Sequence, residues 1–329
     1  MGVAIAIVRM KDLFAVIMLS GIYGLLSASF FVAMDAVDVA FTEASVGAGI
    51  STLLMLVAIS MTGRSEHPVR HKPVLALVVV IVTGGLLIYG TLDMPYFGSA
   101  QAPVHQHVAP RYINDSMQEV GVPNIVTSVL ASYRAFDTFG EVIVIFTAGM
   151  GILALLSVLR RPRKTAGDIA RDTAEIDSLN DSMHEQHLIL RIVSKMLLPF
   201  IMLFALYVQF HGDFGPGGGF QAGVIFAAAI ILYTMLFGMS TARRVINQSF
   251  IQFLAATGVL LYGSVGLVSL LNGKNFLDYS ALSADPIAGQ HLGILLIELG
   301  VGITVASVMI IIFFNFAGRR ENSQGNNKT

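Results

Sequence analysis

The chain has 329 residues, 55% hydrophobic and only 12% charged, with a mean hydropathy of +0.73 and a net charge of −1. Soluble proteins carry about 25% charged residues, so this is the composition of an integral membrane protein, and the charge balance offers no footing for nucleic acid. With no cysteine, disulfides and cysteine-ligated zinc or iron–sulfur centres are excluded within the chain; with no tryptophan, any interfacial aromatic belt falls to Tyr and Phe.

Arg9 and Lys11 precede an uncharged run from Leu13 to Met34. It exceeds the roughly 7–15 residues of a signal-peptide core and reads as a first span. Asp35, Asp38 and Glu43 follow, then the second span, Ala44–Gly63, and the third, Pro73–Leu92. The stretch from Asp93 to Gly121, carrying Pro95, Pro103 and Pro110, is too broken for another. The apolar pattern from Pro123 to Leu159 is too long for one upright helix across about 30 Å of hydrocarbon. A short interfacial or re-entrant helix near Asn124–Tyr133 is therefore expected, then a fourth span from about Asp137. Arg160–Lys164 is a basic stop, and Thr165–His187 reads as a solvated linker.

Four more spans follow: Arg191–Phe210, Pro216–Ser240, Val245–Leu271 and Gly289–Phe316. The expectation is an all-α integral membrane protein of about eight transmembrane helices. It divides into a membrane domain (1–165), a cytoplasmic linker (166–187), a second membrane domain (188–318) and a disordered tail (319–329). An inside N-terminus places all but Arg111, Arg134 and Lys274 of the 20 Lys and Arg residues on the inner side. The positive-inside rule thus predicts cytoplasmic termini and a multi-pass protein of the bacterial inner membrane.

The stretch His211-Gly-Asp-Phe-Gly-Pro-Gly-Gly-Gly-Phe-Gln-Ala-Gly223 joins the fifth and sixth spans as a tight polar turn. Glycine tolerates positive φ and lets backbone fold back into protein at membrane depth. Pro216 suits the first turn of the next helix. Gly217 and Gly218 keep the turn slim, and the four-residue spacing of Gly219 and Gly223 admits a close helix neighbour. A phosphate cradle is disfavoured, because the Gly-Lys-Ser/Thr ending of a P-loop and a preceding strand are both missing.

This loop closely resembles the signature of the B subunit (MrpB, MnhB) of Mrp-type multisubunit sodium/proton antiporters, a resemblance covering about Leu188–Phe316. In the first half, Asp38-Val-Ala-Phe-Thr-Glu-Ala-Ser-Val-Gly-Ala-Gly-Ile50 resembles the MbhD-like segment. Asn124-Ile-Val-Thr-Ser-Val-Leu-Ala-Ser-Tyr-Arg-Ala-Phe-Asp-Thr-Phe-Gly-Glu141 resembles the MbhE-like segment. Both occur in membrane-bound hydrogenases and at the C-terminal end of the large Mrp protein that precedes MrpB in the complex, MrpA. With only about eleven residues before the first span, the first domain looks truncated.

Ionisable groups within a bilayer are costly, roughly 2.5–3.5 kcal/mol at its centre on insertion scales, and ask for a reason. Glu43 lies about 7.5 Å into its helix counted from Asp38, and Glu298 about 13.5 Å into the last span counted from Gly289. Glu298 is expected to be the acid most exposed to hydrocarbon. Arg134, Asp137 and Glu141 share one helical face and read equally as an ion-path cluster or as a weak surface ion network. His211 and Asp213, at the mouth of the loop, could relay protons, although helix capping is the stronger reading. Lys195 should snorkel to the inner interface. No metal site is expected: Pro68 separates His67 from His71, and His184–His187 is one residue short of a zinc motif.

The resemblance implies a non-catalytic antiporter subunit without cofactors. Its partners would be other Mrp subunits, Na+ or another monovalent cation, H+ and the lipid bilayer, and Glu43 and Glu141 would be ion-path residues. Two alternatives are an energy-coupling membrane subunit of a hydrogenase or complex-I-like oxidoreductase, and a purely structural scaffold.

Overall fold

The computed structural model describes residues 1–66, 73–96, 98–158 and 188–324. Among them are eight helices long and apolar enough to cross a membrane, the expected count. They are α1 (Leu13–Ala33), α2 (Val37–Ser60), α3 (Pro73–Thr91), α4 (Ala135–Val158), α5 (Leu188–His211), α6 (Gly219–Phe237), α7 (Gln248–Leu271) and α8 (Pro286–Gln324).

Local chemistry sets the ends. Asp12 caps α1, its Oδ1 accepting the N–H of Phe14 at 2.9 Å and of Ala15 at 3.3 Å. Asn247 caps α7 through the Ser249 N–H, and α8 opens with Pro286, its Ile287 N–H donated to Asp285. Leu13 donates its N–H to the Arg64 carbonyl, which ties the start of α1 to the exit of α2 and closes a helical hairpin.

α8 is the axis of the bundle. In the membrane, where lipid is as apolar as leucine, helices associate through close packing. Accordingly 61% of the α8 span is buried, with α7, α6 and α4 packed around it, whereas none of the α3 span is. Small residues bring α8 close to its neighbours. A Cβ built at Gly219 would run into the Glu298 carbonyl oxygen, and one at Gly223 would lie 2.7 Å from the Gly302 carbonyl oxygen. On the other side of α8, a Cβ at Gly300 would lie 2.7 Å from the Gly258 carbonyl oxygen of α7. Tyr262 of α7, fully buried, donates its hydroxyl to the Ala135 carbonyl at 2.7 Å and stacks on Phe139, which fixes the entry of α4.

Several boundaries differ from expectation. α2 starts at Val37, seven residues before Ala44, and passes through Glu43 into a π-helical stretch, Ala44–Ile50. Glu43 is no barrier to the helix because its carboxylate folds back over Gly47 one turn on. Pro216 is not in the first turn of α6: Gly218 takes φ +108°, and the helix opens only at Gly219. The last helix continues to Gln324, so residues 319–324 are helical where a disordered tail was expected. A further helix, Gly2–Arg9, precedes α1. Short helices occupy the broken stretch, including Val108–Asn114 and Ser116–Glu119, and the expected short helix before α4 is present as Ile125–Thr127 with π-helical Ser128–Tyr133. The basic stop 160–164, the linker 166–187, both His pairs and residues 325–329 lie outside the described residues.

Candidate functional site

The Gly-rich turn is held from both halves of the chain. At its α5 end, Phe214 and Gly215 donate their N–H groups to the His211 carbonyl, and Gly218 donates back to the Val208 carbonyl. From the short helix before α4, Asn124 Nδ2 donates to the Gly212 and Gly215 carbonyls, both at 3.1 Å, and Thr127 Oγ1 donates to Gly212 at 2.6 Å. From α2, Asp38 Oδ1 accepts the Gly217 N–H at 3.3 Å, while Gln221 Nε2 donates to Thr42 Oγ1 at 2.9 Å. Turn carbonyls and amides that would be orphaned at membrane depth are thus paired with side chains from distant segments. Glycine is needed here for contact as well as for φ. A Cβ at Gly212 or at Gly218 would come within 3.0 Å of Glu298 Oε1, so the α8 carboxylate lies directly against the turn.

Beside this junction is a cavity of about 630 Å³. Its charged lining is Asp38 from α2, Glu141 from α4 and Glu298 from α8; Thr42, Thr138 and Gln221 add neutral polar groups. Three acids more than 100 residues apart from first to second, and again from second to third, therefore converge on one space. Gly217, Gly218 and Gly219 form part of the wall. Glu298 is turned toward the turn and the cavity, not toward hydrocarbon as the sequence suggested. Glu141 is exposed at the cavity edge, on the membrane-spanning part of α4.

The other candidates sit elsewhere. Glu43 is half-buried and lies against Gly47, off the cavity lining. Arg134 and Asp137 pair with each other, Nε to Oδ2 at 2.7 Å, and are both exposed. His211 stacks on Tyr207 with ring centroids 4.9 Å apart. The Asp213 carboxylate caps no helix; it faces His291 of α8, Nδ1 to Oδ2 3.5 Å. Just outside the spans, Glu119 accepts the Tyr133 hydroxyl and a two-pronged contact from Arg111, at 3.1 and 3.2 Å. The Tyr133 hydrogen bond, followed by that of Arg111, holds the Glu119 carboxyl below its usual range. No group of three or more potential metal-ligating side chains occurs among the described residues.

Sequence reasoning did not single out Thr42, Asn124, Thr127, Thr138, Gln221 or His291. The available signal was weak: uncharged polar residues at single positions inside or beside apolar helices.

Comparison with known proteins agrees with this division of labour. The pattern described as a domain related to the MnhB subunit of Na+/H+ antiporter matches residues 189–311. Those described as the D and E subunits of MBH match residues 1–64 and 75–173. A protein of Staphylococcus aureus (strain Newman), named as the antiporter subunit mnhB2, is 33% identical over 141 residues, 42% of this chain and 99% of the relative. The chain belongs to the MnhB family. A relative from Rhizobium meliloti (strain 1021), named as the A/B subunit of a K(+)/H(+) antiporter, is 26% identical over 323 residues, 92% of this chain. The chain spans only 32% of that relative's length. Among solved structures, a chain of the Mrp complex from Dietzia sp. DQ12-45-1b shares the fold with a TM-score of 0.72 at 23% identity, covering 96% of this MnhB-family chain and 34% of the other. A chain of the membrane-bound sulfane sulfur reductase, an archaeal respiratory membrane complex, aligns at TM-score 0.53 and 29% identity, covering 74% and 97%. This MnhB-family protein is a multi-pass protein of the bacterial membrane.

Proposed function

We propose that the chain is a non-catalytic membrane subunit of a multisubunit Mrp-type cation/proton antiporter. It performs no covalent chemistry; it supplies Glu298, Glu141 and Asp38 to an ion or proton path shared with partner subunits. The observation that carries this reading is the convergence of these three acids on one cavity beside the Gly-rich turn. A carboxyl at membrane depth exchanges a proton readily when its surroundings alternate between apolar and charged. Asp38 is held by the Gly217 amide, Glu298 has room against Gly212 and Gly218, and Glu141 opens to the side where another subunit would stand. An exposed acid on a spanning helix needs a partner or water to cover it. The wholly unburied α3 supports assembly in the same way. The exchanged ions would be H+ and Na+ or another monovalent cation, with both termini on the cytoplasmic side of the inner membrane.

The test is antiport in vesicles containing the intact complex, with assembly checked in the same preparations. Glu298→Gln, Glu141→Gln and Asp38→Asn keep volume and hydrogen bonding but cannot titrate. Each should assemble and lose at least about tenfold in exchange, a modest value for a lost proton-transfer group. Wild-type exchange in the assembled triple variant would leave a scaffold role and remove the path.

A second reading, as an energy-coupling component of a respiratory oxidoreductase, is favoured by the likeness to the sulfane sulfur reductase complex. Partners purified with the native chain separate the two: small antiporter proteins alone support the first, redox-centre proteins the second.

A further inference from the structure

Glu298 and His291 are seven residues apart on α8, so they lie on nearly the same face and about 10 Å apart along the axis. The Gly-rich turn runs along that face. Its Asp213 meets His291 at one end, Nδ1 to Oδ2 3.5 Å, and its Gly212 and Gly218 meet Glu298 at the other. His291 is also packed from the opposite side: a Cβ at Gly121, which has φ +82°, would lie 3.2 Å from its Nε2. Next to it in the chain, Gln290 accepts the Ser132 hydroxyl at 2.8 Å. The Asp213 carbonyl in turn accepts the Asn124 N–H at 3.0 Å. The imidazole is therefore wedged where three separate pieces meet: the turn, the 120–124 segment and α8.

We infer that His291 is a positioning residue, a proton-operated latch that seats the Gly-rich turn against α8 and thereby sets the surroundings of Glu298. Histidine is the side chain that ordinarily gains or loses its proton between about pH 5 and 8. Protonated, His291 forms a full ion pair with Asp213 and the turn is held. Neutral, it keeps at most one ordinary hydrogen bond and the turn is released to move. The other titratable groups around it are already engaged or more distant. Asp278, beside the Tyr279 that packs on α8, is bound to the Ser280 amide and hydroxyl. Asp285 is occupied by the Ile287 N–H. Glu119, two residues before Gly121, is held by Arg111 and Tyr133. His211 stacks on Tyr207 at the α5 end of the turn. Glu298 is two turns down α8. Asp213 is thus the partner that the His291 proton acts on.

The consequence for transport rests on the proposed ion path, but the latch itself is read without transport. Hydrogen exchange of the 211–223 peptide in the purified native complex, corrected for intrinsic rates, should show protection falling roughly two- to fivefold from about pH 5.5 to 8.5, the scale of a partly exposed ion pair. His291→Gln and Asp213→Asn should remove this step and leave low protection throughout. His291→Lys, charged over the whole range, should also remove the step but stay protected. If His291→Gln retains the wild-type step, or the step disappears in His211→Gln instead, the latch is wrong. Should His291→Gln fail to assemble, the Lys and Asn variants decide between the same outcomes. Antiport measured on the same variants then tests the link to the path. Loss of the protection step without any change in the pH profile of exchange would sustain the latch and count against the path.

Discussion

The contact between α6 and α8 predicts a large effect from a single added methyl group, Gly219→Ala. A Cβ at Gly219 would lie 2.9 Å from the Glu298 carbonyl carbon and 3.0 Å from the Gly302 amide nitrogen, and closer still to the Glu298 carbonyl oxygen. All are backbone atoms, so no side chain can rotate away. Since non-bonded carbons prefer separations of about 3.5–4.0 Å, the two helices must part by about 0.5–1 Å over several turns. Overpacking of this kind costs roughly 1–3 kcal/mol. At about 2–4 °C per kcal/mol for a unit of 150–250 residues, the melting temperature should fall by some 2–12 °C. The control is Gly140→Ala on α4, where an added Cβ meets nothing within 4 Å. Thermal unfolding of both variants in the same detergent, within the native complex, provides the measurement. If Gly219→Ala melts with the wild type and with Gly140→Ala, α6 and α8 are not packed backbone to backbone, and the seat of Glu298 is drawn wrongly.

Glu43→Gln should assemble and reduce exchange less than Glu298→Gln does, because Glu43 lies against Gly47 and does not line the cavity; equal losses in vesicle antiport would return Glu43 to the path. The lowered pKa of Glu119 predicts a pH-dependent contribution to stability. The ionised carboxylate stabilises the fold above the ordinary glutamate value near about 4.3, and this contribution is lost as pH falls through its lower folded pKa. Melting curves of wild type and Glu119→Gln should therefore differ above about pH 5 and converge near about pH 3, and a gap that persists at the acid end would refute the assignment. For topology, a cysteine at Ser240 should react only with reagent on the cytoplasmic side and one at Ser283 only from outside. Reversed labelling at Ser283 would overturn the eight-span orientation.

The spans were legible because a bilayer imposes length: about 20 uncharged residues in a row have few other uses. Their ends were less so. The sequence reading stopped α2 at Glu43 on the ground that a charge marks an interface, yet the helix runs on to Val37, with the carboxylate accommodated over Gly47. Proline at 216 suggested a helix start, but the amide of Gly217 is committed to Asp38 and the positive φ of Gly218 postpones the helix to Gly219. Neither a tertiary hydrogen bond nor a glycine dihedral leaves a mark in composition.

Depth and rotation explain why the site was only half visible. Counting residues at about 1.5 Å each places Glu298 near the middle of its span, and the cost of a charge there singles it out. Which way it points is a different question. A soluble helix answers it through an apolar stripe, whereas these helices are apolar all round and carry no such stripe. Glu298 could therefore be taken as facing hydrocarbon, and Glu43, rather than Asp38, as the acid of α2 that mattered. Rotation here is set by the small residues, Gly219 and Gly223 against Gly302, and Gly258 against Gly300, which decide the face α8 presents to α6 and to α7. Once those contacts are made, Glu298 has only the Gly-rich turn and the cavity before it. The glycines, which carry no chemistry, determine which acids can meet.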